Sequence, residues 1–379
     1  MRRRMDWIFP AWKDLIRMQN LTMTRNSNNV LIGMSGGVDS TAAALLLTQK
    51  GYHVTGLFLD VLGNQTEETE AARALAERLG IDFISKNIAV EFDSRIIRYF
   101  CDAFAGGLTP NPCVLCNPTI KFRILAETAD EVGAFWIATG HYARVVYDSD
   151  DDIYYINKAK AVSKDQSYML YRLPQSILAR IRFPLGELTS KEEVRQLVRT
   201  YKVGNEEKKD SQEICFVKNG DYADFIQQRG YHPSPGDFID ANGTILGRHK
   251  GIVHYTVGQR KGLGMTFGKP MFVIAIDQEK NTVTLGDDDA LFRQYVKGQD
   301  HVFTGHETEG VAFPSNIKGQ GIQAKIRYAA KPADAIIKEI DSRELTVQFK
   351  EPQRAPTPGQ SMVFYSGERL LGGAIIKGE

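Results

Sequence analysis

Between Asn29 and about Val146 the chain alternates short apolar runs with stretches of helical periodicity. Val30-Leu31-Ile32-Gly33-Met34 is a continuous apolar run, as a strand buried on both faces requires. Asp39 to Lys50, with Ala42 to Ala44 and Leu45 to Leu47, predicts a helix stopped by Gly51. His53 to Leu59 predicts a second strand, and Glu67 to Leu79 a helix with Ala71, Leu75 and Leu79 on one face, closed by Gly80. A third strand over Ile81 to Ile88, helices over Phe92 to Phe104 and Ile120 to Val132, and a strand over Phe135 to Thr139 follow. Such alternation predicts an α/β doubly wound parallel sheet with ligands at the carboxyl ends of its strands.

The pattern changes after Asp148-Ser149-Asp150-Asp151-Asp152, an acidic surface turn. Residues 157–209 carry twelve Lys/Arg against six Asp/Glu, although the whole chain is only +1, so any nucleic-acid face must be local. Beyond residue 207, Gly, Pro and short β-type runs dominate, among them Gly236-Asp237-Phe238-Ile239, Met271 to Ile276, Thr282 to Leu285 and Ser361 to Tyr365. They predict small barrels or sandwiches. The expected division is an extension over 1–28, an α/β domain over 29–206, a central β-rich domain over 207–276 and a C-terminal β-barrel over 277–379. No run approaches the roughly 20 apolar residues of a membrane span. Arg2-Arg3-Arg4 precedes Trp7, Phe9 and Trp12 without a secretory cleavage pattern; a disordered extension before a start at Met23 is the expectation. Four cysteines in 379 residues with no export signal point to a reducing, cytoplasmic setting in which thiols serve chemistry or metal.

Ser35-Gly36-Gly37-Val38-Asp39-Ser40 lies directly after a strand and opens a helix. Two glycines let backbone N–H groups close on an anion, the helix N-terminus adds its dipole, and two serines add hydroxyls. Lacking a lysine, the turn is no Walker loop. It resembles the pyrophosphate loop of the PP-loop ATPases. That resemblance implies that Gly33, Met34, Ser35, Gly36, Gly37, Val38, Asp39 and Ser40 hold ATP with Mg²⁺, and that Leu59 and Gly140, at the ends of two strands, lie by the adenosine. It also implies an oxygen activated as a leaving group by adenylation.

Two cysteine contexts stand out. Asn111-Pro112-Cys113-Val114-Leu115-Cys116-Asn117 is stiffened by Pro110, Pro112 and Pro118 and predicts a rigid loop near a helix N-terminus. Cys215 follows Lys208 and Lys209. Both settings predict depressed thiol pKa values. Cys101, inside an apolar helix face, reads as a buried small hydrophobe.

SGGVDS, TPNPCVLCN with IKF, ATGHYAR, SKDQSY, KKDSQEICF, HYTVGQRKGLG, KIRY and TPGQ, in this order from Val30 to Ile376, resemble the tRNA-specific 2-thiouridylase (MnmA) family. The resemblance implies a PP-loop/HUP-like catalytic domain, a tRNA-contacting barrel, and ATP-dependent 2-thiolation of a wobble uridine. Cys116 would be the catalytic cysteine and Cys215 the persulfide carrier, loaded by a cysteine desulfurase or other sulfur-donor protein. Asn111, Pro112, Cys113, His141, Lys164, Asp165, Gln166, Arg327, Tyr328 and Gln360 would contact tRNA. Some family members have Asp where this chain has Cys113, so an acid/base role at that position does not carry over. The 157–209 segment and the acid-free stretch 244–270, with Arg248, Lys250, Arg260, Lys261 and Lys269, are the expected phosphate contacts.

Three alternatives stay open from sequence: iron–sulfur or zinc ligation by Cys113, Cys116 and Cys215, a PP-loop amide-forming ligase, and an RNA-binding module with a dead nucleotide site.

Overall fold

A computed structural model describes residues 26–205, 214–217, 220–305 and 317–378. The first half builds β1 (Asn26–Gly33), α1 (Val38–Gln49), β2 (His53–Asp60), α2 (Thr66–Leu79) and β3 (Asp82–Asn87). Next come α3 (Ala89–Phe92) and α4 (Arg98–Ala105) joined by a π-turn (Asp93–Ile97), then α5 (Pro112–Cys116) and α6 (Phe122–Glu131) joined by a π-turn (Asn117–Lys121). After them come β4 (Ala134–Ala138), the hairpin β5 (Ala143–Asp148) and β6 (Ile153–Lys158), α7 (Gln175–Leu178), β7 (Ile181–Arg182) and α8 (Lys191–Thr200). The sheet order is β3-β2-β1-β4-β7 and every pair is parallel. Val30, Leu31 and Ile32 are fully buried because helices cover both faces, and Ala42, Ala43 and Ala44 let α1 lie close on the sheet. Strand order reverses between β1 and β4, so the crevice of this fold opens at their carboxyl ends.

Two readings of this half need correction. The Asn111–Cys116 segment is helical rather than a loop: Asn111 caps α5, its Oδ1 accepting from the Cys113 N–H at 3.2 Å, and Pro112 stands at the first helical position. Pro118 does not end that helix because the π-turn absorbs the missing N–H, carrying the helical path on to Glu131. Residues 26–28 begin β1; the expectation for the rest of the 1–28 extension lies outside the described residues.

The central unit begins with α9 (Tyr222–Gln228), followed by β8 (Gly236–Ile239), β9 (Ile245–His249), β10 (Phe272–Asp277) and β11 (Thr282–Gly286). Its sheet order is β10-β11-β8-β9 around Phe238, Val273, Val283 and Leu285. β11 pairs with β10 from Thr282 to Gly286, so this sheet runs past the expected boundary at 276. The last unit is a closed six-strand barrel of β12 (Phe292–Phe303), β13 (Gly321–Lys325), β14 (Ala333–Ile340), β15 (Glu344–Arg354), β16 (Ser361–Ser366) and β17 (Arg369–Ile376). β17 pairs back to β12, which removes the free edges. Arg369 at the start of β17 also pairs with Asn157, so the β5–β6 hairpin extends the barrel's sheet.

All three units meet at Gly107 to Thr109, just ahead of α5. The Thr109 N–H donates to Pro358 O at 2.9 Å, and Gln360 Nε2 donates to Thr109 O at 2.7 Å. Thr109 Oγ1 lies 3.2 Å from Thr256 Oγ1 of the central unit. Arg327 donates to Val257 O at 3.0 Å and Ala355 O at 2.8 Å, tying central unit to barrel. Gly359 (φ +91) approaches so closely that a Cβ would stand 2.9 Å from Thr109 N. Gly319, with φ +77, has nothing within 4 Å of its own hypothetical Cβ. Both Ala substitutions incur left-handed strain, but only Gly359→Ala adds a backbone clash, expected to cost about 1–3 kcal/mol more. Equal losses in chemical denaturation of the two variants would contradict this docking.

Candidate active site

The turn after β1 has the geometry an anion needs. Gly36 is left-handed (φ 71) and Gly37 is the extended residue before α1, so successive N–H groups converge at the helix start. Ser35 N–H donates to Ser40 Oγ at 3.3 Å, and Ser40 Oγ and Thr41 Oγ1 each donate to Gly37 O at 3.0 Å. Asn205 Nδ2 bonds Thr41 Oγ1 at 2.9 Å behind the turn. Asp39 Oδ1 accepts from Tyr142 OH and from Lys191 Nζ, both at 2.7 Å. One carboxylate thus gathers α1, the segment after β4 and α8 beneath the crevice.

Gly140 follows β4. A Cβ there would lie 2.8 Å from Asp39 C and 2.9 Å from Ser40 N, so the glycine lets the two switch-point segments touch. Gly33 is less constrained, its Cβ position meeting only side chains of Leu125 and Thr139 at 3.7 Å. Leu59 is partly buried at the end of β2. His141, next to Gly140, packs its ring 5.7 Å from Phe122 and sets Nδ1 2.7 Å from Thr139 Oγ1. Burial first, and then the Lys121 charge, push this imidazole well below its ordinary value, so it is neutral near pH 7.

The thiols share with it the nearby charge of Lys121. Cys116 ends α5, and the backbone N–H of Lys121 bonds its sulfur. Cys113 and Cys215 act electrostatically on Cys116, and Cys113 is the strongest thiol neighbour of Cys215. Hence Cys215, about 100 residues downstream, returns to the α5 segment. Its anchor is Phe216, buried at 3% exposure with its ring edge-on to Phe100 (5.2 Å) and Phe92 (5.7 Å) in the cluster that also packs Leu115 and Cys116. All four cysteines are free: Cys215 is exposed, Cys113 and Cys116 half-buried, and Cys101 buried as expected.

The expected depression of the thiol pKa values is reversed. Burial pushes Cys116 up to about 12 and Cys215 up to about 11, and it raises Cys113, in each case against the opposing pull of Lys121. Desolvation, the largest influence on each thiol, outweighs any help from the helix dipole. Lys208 and Lys209 lie outside the described residues. Among the described residues no three His, Cys, Asp or Glu side chains gather closely enough to hold a metal ion.

Several residues expected at RNA also have structural work. Asp165 is buried, accepting from Ala159 N at 3.0 Å and Ser167 Oγ at 2.8 Å; Gln166 Oε1 accepts from Tyr142 N at 3.0 Å. Gln360 and Arg327 hold the three-unit junction. Tyr328 is 37% exposed, its ring 6.0 Å from Tyr168 with Lys325 alongside, and Lys164 is partly buried. Of the basic 157–209 segment, Arg180 pairs with Asp130, Lys191 with Asp39, Lys160 with Glu187 and Arg199 with Glu192, while Arg172 is buried. Arg248 and Lys269 of the second stretch pair with Asp237 and Asp287. Among these pairs, only Arg180 and Lys191 of the 157–209 segment are tied to acids outside it, and the Lys160, Arg199, Arg248 and Lys269 pairs lie at the surface. Tyr142, Lys191, Phe216 and Lys121 were not singled out from sequence, although Tyr142 and Lys121 stand inside the ATGHYAR and IKF motifs.

His141 generates a pH prediction. Below its ordinary value of 6.5 the unfolded imidazole binds a proton that the folded one refuses, so stability from this group is present above that pH and lost as pH falls. The slope is about 1.4 kcal/mol per pH unit. Denaturant melts at pH 7.5 and 5.5 should show a smaller acid loss for His141→Gln than for the parent; identical losses would contradict a neutral His141.

Comparison with known proteins agrees with this architecture unit by unit. A "tRNA methyl transferase HUP domain" model matches residues 28–219, a "tRNA methyl transferase PRC-barrel domain" model 223–287, and an "Aminomethyltransferase beta-barrel domain" model 302–376. The tRNA-specific 2-thiouridylase MnmA of Acetivibrio thermocellus is 42% identical over 366 residues, covering 93% of this chain and 100% of that protein. The protein of the same name from Syntrophomonas wolfei is 44% identical over 348 residues, 92% and 99% of the two chains, and that from Clostridioides difficile 41% over 363, 93% and 98%. Two of the model descriptions speak of methyl transfer; the relatives, aligned along nearly their whole length, are named for thiolation. At this identity and coverage, the chain belongs to the tRNA-specific 2-thiouridylase (MnmA) family.

Proposed function

We propose that this chain is a tRNA sulfurtransferase that replaces O2 of a wobble uridine with sulfur, using ATP as co-substrate. The observation that carries the reading is the continuity of the site: Gly140 touches the start of α1, and its neighbour His141 packs on Phe122, one residue from the Lys121 that faces the thiols. An anion cradle and a thiol pair thereby share one crevice, as a reaction that activates an oxygen and then displaces it with sulfur requires.

The Gly36–Ser40 backbone donors would hold the polyphosphate while the uracil O2 attacks the α-phosphorus, releasing pyrophosphate and leaving AMP on that oxygen. With Asp39 already paired to Lys191, and no three carboxylates gathered among the described residues, Mg²⁺ would ride chiefly on the nucleotide's own phosphates. His141 offers the extruded base a neutral hydrogen-bonding partner beside Phe122 and Phe183. Asn111, Pro112 and Cys113 flank that base, and Lys164 and Tyr328 supply outer tRNA contacts.

A sulfur-donor protein loads Cys215 as a persulfide. The terminal sulfur reaches carbon 2 directly, or as hydrosulfide once the Cys116 thiolate attacks Cys215 Sγ. In the direct route AMP departs as the carbon–sulfur bond forms, and the Cys116 thiolate then attacks Cys215 Sγ, breaking its bond to the transferred sulfur. By either route AMP is released and a Cys116–Cys215 disulfide remains, with the sulfane sulfur reduced by two electrons from the two thiols. An external dithiol resets the pair.

The test combines purified protein, wobble-uridine tRNA, MgATP and a cysteine desulfurase fed labelled cysteine, with Cys116→Ser and Cys215→Ser alongside. ATP-dependent 2-thiouridine lost in both variants is expected. Pyrophosphate release with thiolation unaffected by Cys215→Ser would overturn the sulfur half, and thiolation only in an iron-loaded brown protein would replace it with the metal reading. Gly140→Ala should slow pyrophosphate release at least about tenfold, the effect of roughly 1.4 kcal/mol, while Gly33→Ala stays near the parent; the reverse order would overturn the nucleotide half.

A further inference from the structure

Lys121 closes the π-turn between α5 and α6, a helical irregularity that concentrates at functional sites. Its side chain is partly buried, yet it has no ion pair or side-chain hydrogen bond among the described residues. This is unlike Arg123, two positions on, which bonds both Glu127 and Glu91 at 2.7 Å. A partly buried ammonium with no ion pair among the described residues is available to an anion that arrives later. What surrounds it is sulfur. Lys121 is the charged group acting on Cys113 and Cys215, and the cation acting on Cys116. Among the described residues it also acts on the neutral His141, which cannot compensate it. No carboxylate of the described residues figures among the charges acting on Cys113, Cys116, Cys215 or His141.

We propose that Lys121 is a catalytic electrostatic residue of sulfur transfer, its ammonium serving as counter-ion to each anionic sulfur the reaction creates. Three such species occur in turn: the Cys116 thiolate, its proton lost to water; the terminal sulfur of the Cys215 persulfide; and the hydrosulfide expelled when the Cys116–Cys215 disulfide forms. The negative charge then passes to AMP as carbon 2 takes the sulfur. This rests on the sulfur-transfer reading above and adds to it the group that makes such protonated thiols usable. A cation within a half-buried pocket is worth far more to an anion than one in bulk water.

The experiment uses the full chain and neutral iodoacetamide, whose approach no charge steers, with alkylation of each cysteine followed by peptide mass spectrometry at pH 8. Lys121→Met should slow Cys116 and Cys215 about tenfold each, the equivalent of a one-unit rise in thiol pKa. Lys121→Arg should stay near the parent. Cys101 is the internal control, because its neighbours are Arg229, Asp102 and Asp93 rather than Lys121. In single turnover from persulfide-loaded enzyme, Lys121→Met should slow sulfur arrival in tRNA and move the pH–rate profile upward, with Arg restoring both. Should the Met variant fail to fold, Lys121→Gln takes its place. Unchanged alkylation at Cys116 and Cys215, or an Arg variant as impaired as the Met variant, overturns the proposal; weakened tRNA binding with unchanged alkylation assigns Lys121 to RNA instead. If the parent makes no 2-thiouridine, the functional reading fails, and the alkylation comparison still decides the role of Lys121.

Discussion

The site depends on one constraint: the Gly107–Thr109 segment is wedged between the central unit and the barrel. Its backbone is bonded on both sides by barrel residues, and its approach leaves no room for a Cβ at Gly359. Asn111 caps α5 two residues later, so the junction sets where the helix bearing Cys113, Cys116 and Lys121 begins. A barrel some 250 residues downstream thus positions a helix of the catalytic domain. For the same reason the barrel need not contribute a reacting group in order to matter for the reaction.

From that fixed helix two further contacts build the crevice. Phe216, inserted among Phe92, Phe100 and Phe225, brings Cys215 to the thiols of α5. Gly140, against the start of α1, brings the anion turn to the same place through His141 and Phe122. Burial at this place keeps the imidazole neutral and the Cys116 thiol protonated, while Cys215 stays exposed. Dryness suits a reaction in which water must not compete for an activated carbon, but it makes thiolates costly, and Lys121 is the opposing charge.

Much of this was legible in the sequence. The apolar run at Val30 to Ile32, the glycine turn and the Gly80 stop each obey a local rule, and the parallel sheet followed from them. Asn111-Pro112 carries a cap-and-first-position signature, but Pro110, Pro112 and Pro118 together suggested a stiff loop, and a π-turn is invisible to 3.6-residue periodicity. The basic segment shows another limit of the sequence: composition counts charges but not partners, and Arg180 and Lys191 answer to Asp130 and Asp39 outside it. Thiol acidity was misjudged because a sequence shows neighbouring lysines and no desolvation.

The central claim, that the fold delivers Cys215 to Cys116 for a redox-coupled transfer, is tested most directly by mapping the disulfide. After one turnover with persulfide-loaded enzyme and tRNA in the absence of reductant, the protein would be blocked, digested and analysed without reduction. The account predicts a Cys116–Cys215 cross-linked peptide in proportion to the 2-thiouridine formed. A Cys113–Cys215 link, or thiouridine formed with all thiols still free, would contradict it.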